Sequence, residues 1–180
     1  MTAPLIVIGI DPGRKGALVA ITGNPEAPSV VSYTEAGEYY PPKSELNAVA
    51  WGRVLSAFSA RSNVVAYIEA PGFRPGESTQ STATTARAYG GMVALLQFLG
   101  IPFHEVEARK WTKELGVALP KKADGSPPSV KERKEKHLEA VERVIPTLPY
   151  RSPRGAIQDG IGDAACIALY GLKLATRGGK

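Results

Sequence analysis

Residues 4–22 read PLIVIGIDPGRKGALVAIT, and no other stretch constrains the fold as strongly. Pro4 to Ile10 is a short apolar run rich in β-branched residues, which reads as a buried strand. Asp11-Pro12-Gly13 ends it, because proline removes a backbone donor and glycine tolerates turn geometry. Gly16 to Thr22 resumes the apolar pattern and predicts a second strand folded back on the first as a hairpin. After a turn over Asn24 to Pro28, Ser29 to Thr34 predicts a third strand.

Beyond this meander the chain alternates. Leu46, Val49, Ala50, Val54, Leu55 and Phe58 recur near a 3.6-residue period and predict a helix over Ser44 to Ala60. Val64 to Ile68 is a fourth strand, ending at Glu69. A Pro/Gly loop from Ala70 to Gly76 precedes a long helix, Ser81 to Leu99, in which Gly90-Gly91 permits close approach of another backbone. Pro102 to Val106 is a fifth strand, followed by a short helix over Glu107 to Leu115 and a Pro/Gly/Lys-rich loop over 117–128. Ser129 with Glu132 three residues on is a capping-box signature for a charged helix reaching Val144. Ile157 to Ala175 predicts the last helix. This order implies one α/β domain over residues 1–180, a five-stranded mixed sheet with helices on both faces.

Composition narrows the function classes. With 43% hydrophobic and 22% charged residues the chain reads as globular and soluble. The formal charge is +5, and residues 109–154 carry 12 Lys/Arg against 6 Asp/Glu, so this segment holds +6 and the remainder −1. A localised basic excess is the footprint expected for phosphate. A single cysteine, Cys166, excludes an intrachain disulfide framework, and two histidines, His104 and His137, argue against zinc. The N-terminus lacks a basic n-region and no apolar stretch approaches membrane length, so a cytoplasmic protein without a membrane span is expected.

Four carboxylates then stand out. Asp11 ends the first strand and Glu69 the fourth. If those strands are parallel neighbours, the two acids emerge together at the carboxyl edge of the sheet, where open α/β sheets place their sites. Asp159 and Asp163, four apart, share a face at the start of the last helix. Taken singly, Asp11 also suits a turn and Asp159 a helix start. Jointly the four acids repel unless cations stand between them, which points to two Mg²⁺ ions per site and phosphodiester chemistry.

At these residues a family resemblance becomes specific. IGIDPGRKGALVAI (8–21) resembles the first motif of RuvC-type Holliday-junction resolvases, and VVAYIEAP (64–71) is similar to the second. ARAYGGMVALL (86–96) resembles the helix that packs beside the family's site and contributes to dimerisation. VEARKWTKELG (106–116) resembles a segment of bacteriophage RuvC-like proteins, and QDGIGDAACIALYG (158–171) the last acidic motif. The likeness spans roughly residues 5 to 172.

The resemblance implies a ribonuclease H-like fold, Mg²⁺ or Mn²⁺ as the metal, and a homodimer acting on branched DNA. The reaction it implies is paired symmetric nicks across a four-way junction, leaving 5′ phosphate and 3′ hydroxyl ends. It further implies that Asp11, Glu69, Asp159 and Asp163 are the catalytic, metal-binding acids. The family's cellular members space their last two acids by three. Four, as here, is closer to the phage members.

An aromatic just past the second acid stacks on bases in the family, which makes Phe73 a candidate for that contact and its neighbour Arg74 a candidate phosphate ligand. Lys110, Lys113, Lys121, Lys122, Lys131, Arg133 and Lys134 are candidate backbone contacts, with Arg133 or Lys134 placed to approach the scissile phosphate. Rival readings are a ribonuclease H or other branched-DNA nuclease on the same fold, an actin-like phosphotransferase and a non-catalytic junction binder. The phosphotransferase would need a second phosphate-binding hairpin, and the sequence shows none.

Overall fold

The computed structural model describes residues 3–13, 15–35, 46–72 and 78–177. Strands β1 (Ile6–Asp11), β2 (Ala17–Asn24) and β3 (Ala27–Glu35) form the expected meander, followed by α1 (Ala48–Ser59), β4 (Val64–Glu69), α2 (Thr79–Phe98), β5 (Phe103–Val106), α3 (Ala108–Glu114), α4 (Val130–Glu142) and α5 (Asp159–Arg177). The sheet order is β3-β2-β1-β4-β5. β1 runs antiparallel to β2 and parallel to β4, and β5 is parallel to β4, so the sheet is mixed.

Strand alternation divides the core in two. Ile6, Ile8 and Ile10 of β1, Leu18 and Ala20 of β2, and Val64, Ala66 and Ile68 of β4 join Trp51, Leu55 and Phe58 of α1 and Met92 and Leu96 of α2. Val7, Ala17, Val19, Ile21 and Tyr67 point the other way, into a core built from α3, α4 and α5. β1 is thus buried on both faces, which is why it reads as a continuous apolar run. α5 lies directly on the sheet. A side chain at Gly9 would drive into the Ala164 carbonyl and the Ala168 amide, and one at Gly160 into the backbone of Lys15 and Gly16. Eleven residues of α5 are buried, Cys166 among them, as its apolar surroundings suggest.

Local chemistry explains where the elements begin. β1 includes Asp11, because Asp11 still pairs with Ala17 before the Gly13–Gly16 turn closes the hairpin. α2 starts two residues earlier than the periodicity suggests, since the Ser78 side chain caps it by accepting from the Ser81 N–H at 3.1 Å. The capping box at α4 forms as read: Ser129 Oγ accepts from the Glu132 N–H and Glu132 accepts from the Ser129 N–H at 2.6 Å. α5 begins at Asp159, not Ile157, because Ile157 bridges to Arg151 and the Gln158 N–H donates to the Tyr150 carbonyl, holding this stretch extended. Of the glycine pair, Gly91 lies against Leu46, whereas Gly90 faces open space. Among the described residues no helix is long and apolar enough to cross a membrane.

Candidate active site at the carboxyl ends of β1 and β4

The register places Ile10 opposite Ile68, so Asp11 and Glu69 follow side by side on parallel strands. In each strand the acid is one step from a residue facing α1 and α2, so both carboxylates belong to the α5 face. This juxtaposition, expected from the sequence, is what the sheet delivers. The close seat of α5 on β1 at Gly9 then brings Asp163, the neighbour of Ala164, down beside the strand end.

Each acid carries a partner from the chain itself. Asp11 Oδ1 accepts from the Gly13 N–H at 3.0 Å. Burial is the main cause that pushes the Asp11 carboxyl up to about 6, with the Asp163 charge adding to it, while the Gly13 hydrogen bond and Lys134 pull the other way. Glu69 Oε2 accepts from Trp111 Nε1 at 3.3 Å. Asp163 Oδ1 meets His137 Nδ1 at 2.7 Å. Asp159 is ion-paired through Oδ2 with Lys134. Lys134 and His137 are three apart on α4, so one helix face addresses both aspartates of α5.

Glu69, Trp111, Arg133, Lys134, His137 and Asp163 line one cleft of about 420 Å³. Within it the Nε of Arg133 is buried with no hydrogen-bond partner among the described residues. Asp159 opens instead onto a neighbouring hollow of about 230 Å³, with Lys15, Glu35 and Gln158. The four acids therefore gather at one end of the sheet but do not close on a single point. Among the described residues no three of Asp, Glu, His and Cys stand close enough together to hold a metal ion.

The donor chemistry still suits a hard cation. The acids supply oxygen, and the buried Asp11 carboxyl beside Asp163 is the kind of electrostatic conflict that a dication relieves. The fit requires Lys134 and His137 to yield part of their hold on the aspartates.

The candidate phosphate contacts spread over this side of the molecule. Lys121, Lys122 and Lys131 border an open cleft of about 720 Å³ between the 117–128 loop and α4, where Glu132, Glu135 and Glu139 interleave with them. Lys122 pairs with Glu132 and Lys110 with Glu107, both solvent-facing contacts that exchange easily for phosphate. Lys113 lies in the last turn of α3. Phe73 and Arg74 lie outside the described residues.

Sequence reasoning missed Trp111 and His137. Trp111 stands in the quoted VEARKWTKELG segment without a role, yet it is 2% exposed and its indole N–H reaches Glu69. His137 enters the sequence reading only as a poor prospect for zinc. The signal available was its position one residue before the buried Leu138, on a helix otherwise lined with charge.

No protein-family model matches this chain, and no curated protein does. Solved structures do. Thermus thermophilus RuvC in complex with a Holliday junction substrate superposes with a TM-score of 0.62 at 17% identity, covering 97% of this chain and 96% of that one. A further Thermus thermophilus RuvC structure gives 0.61 at 19% identity, with 97% of each chain covered. The β3-β2-β1-β4-β5 mixed sheet with helices on both faces is thus the ribonuclease H-like fold of RuvC.

Proposed function

We propose that this chain is a single-domain, metal-dependent endonuclease that resolves four-way DNA junctions by paired symmetric nicks. The observation that carries the reading is the pair Asp11 and Glu69 on adjacent parallel strands, both facing α5, with Asp163 close enough to raise the Asp11 carboxyl. A ribonuclease H-like sheet with acids at that edge supports phosphodiester hydrolysis.

Asp11, Glu69, Asp159 and Asp163 would hold two Mg²⁺ or Mn²⁺ ions, which when bound supply an activated water and charge neutralisation at the leaving 3′ oxygen. The chain's own groups do the rest. Trp111 would orient the Glu69 carboxylate, and with His137, ring centroids 4.8 Å apart, it forms an aromatic wall on one side of the cleft. Arg133, which lines the same cleft, would meet a phosphate oxygen with its guanidinium. Lys113, Lys121, Lys122 and Lys131 would hold backbone further out; Phe73 and Arg74, candidates for base stacking and phosphate contact by the family resemblance, lie outside the described residues. Such a nuclease acts in recombination and repair of DNA in the cytoplasm of a bacterium or a phage-infected cell. The four-residue spacing of Asp159 and Asp163 favours the phage-type branch.

The direct test is cleavage of a synthetic mobile four-way junction with Mg²⁺ beside linear duplex and RNA–DNA hybrid. Paired nicks in the junction alone are expected. Cutting of the hybrid would move the activity to ribonuclease H, and no cutting at all would favour a junction-binding protein.

Two nicks need two sites, so a second copy of this chain belongs in the complex. α2 offers it a surface. Ala83, Ala86, Gly90, Ala94 and Phe98 form an exposed stripe along the helix, and Phe98 is 85% exposed. A large apolar side chain beside small residues is suited to burial against another helix. Phe98→Asp together with Ala94→Asp is expected to convert a dimer to a monomer in sedimentation. An unchanged mass would place the interface elsewhere.

A further inference from the structure

We infer that Lys134 is a transferable counter-ion: it holds Asp159 in the free protein and passes to a phosphate of bound DNA, so that DNA and metal load together. This rests on the metal-dependent reading above. The pair lies on the boundary between two hollows, because Lys134 lines the cleft with Glu69 and Asp163, while Asp159 lines the hollow beside Lys15 and Glu35. Both side chains are largely covered, 29% and 25% exposed, so their interaction is screened less than that of a surface pair.

Three features make the pair exchangeable. An ammonium on Asp159 repels a dication approaching the same carboxylate, which weakens metal binding in the free protein. Lysine carries its charge as a point on a flexible four-carbon stem, so it can leave one oxygen anion for another without a fixed geometry. A phosphodiester entering the Glu69–Asp163 cleft arrives on the side where Lys134 already lies. Once Lys134 turns to that phosphate, Asp159 is left without compensation one helical turn from Asp163, and a cation becomes its natural partner. By linkage, whatever DNA adds to metal affinity, metal adds to DNA affinity.

The coupling predicts opposite signs for two binding measurements on the full chain. Mn²⁺ titrations followed by electron paramagnetic resonance, without DNA, should show about tenfold tighter binding in Lys134→Met and Lys134→Gln than in wild type, with Lys134→Arg restoring the weaker wild-type affinity. Junction binding in EDTA should weaken in the two neutral variants, with the log–log salt slope shallower by about 0.9. Thermal melts of the variants confirm folding. Mn²⁺ affinity equal to or below wild type in the neutral variants overturns the inference, leaving Lys134 a structural ion pair if junction binding is unchanged and a plain phosphate contact if only the salt slope moves. If no form binds Mn²⁺ in a way that Asp11→Asn and Asp159→Asn weaken, the metal reading itself falls and the inference with it.

Discussion

Asp11→Asn is expected to abolish junction cleavage, by about a thousandfold or more, while making the metal-free protein more stable at neutral pH. The two effects share one cause. Burial and the Asp163 charge push the Asp11 carboxyl from 3.8 up to about 6, so the folded chain prefers this group protonated. The sign follows from that direction. Below about pH 4 the carboxyl is neutral in both states and costs nothing. Between about pH 4 and 6 the unfolded chain has given up this proton while the folded chain keeps it, so stability falls across that window and stays level above it. At one pKa unit per 1.36 kcal/mol the full cost is at most about 3 kcal/mol, lowered toward 2 by the partial access of water to this side chain.

Asparagine keeps the Oδ1 that accepts from Gly13 and removes the charge. Urea titrations in EDTA should therefore show the variant gaining on wild type between pH 4 and 6 and holding the gain above it. Mg²⁺ or Mn²⁺ should narrow the gap by stabilising wild type alone. A variant less stable than wild type at pH 7 would mean that Asp11 has a structural role, and its loss of cleavage would then say little about chemistry.

Gly9→Ala should be strongly damaging for so small a substitution, as should an alanine at Gly16 or Gly160, which also face backbone at close range. A Cβ at Gly9 meets backbone atoms of Ala164 and Ala168, which cannot rotate away as a side chain would. Accommodation requires α5 to lift from β1. Overpacking of this kind costs about 3 kcal/mol or more when the obstacle is backbone. For a chain of this size that is a fall of about 6–12 °C in Tm.

The lift also separates Asp163 from Asp11, so the site should fail before the fold does. In the surviving folded population the Asp11 carboxyl should move down, away from 6, as its acidic neighbour withdraws. NMR titration of Asp11 in Gly9→Ala at low temperature reads this directly. A carboxyl that still titrates near 6 would show that α5 had stayed in place.

Much of this architecture is local and therefore legible. The break at Asp11-Pro12-Gly13, the alternation in β1 and β4, and the box of Ser129 and Glu132 are each decided within a few residues, by turn chemistry, strand period and helix capping. The same period assigns Asp11 and Glu69 to one face once β1 and β4 are neighbours. The α/β class and the mixed sheet follow from that order, the likeness to RuvC from the motifs around Asp11, Glu69 and Asp163, and the superposition bears out the fold.

What only the tertiary structure decides is how the acids are held. Trp111 on Glu69, Lys134 on Asp159 and His137 on Asp163 join residues separated by 25 to 42 positions, so no local pattern encodes them. They depend on how closely α5 seats on β1 and how α4 then lies across α5. That spacing is set by the absence of side chains at Gly9 and Gly160. A glycine inside a strand is visible in the sequence, but the helix backbone that needs its space is not. The sequence determined which groups of this protein could do chemistry; packing determined which of them face each other, because contact between distant residues is a property of the assembled core.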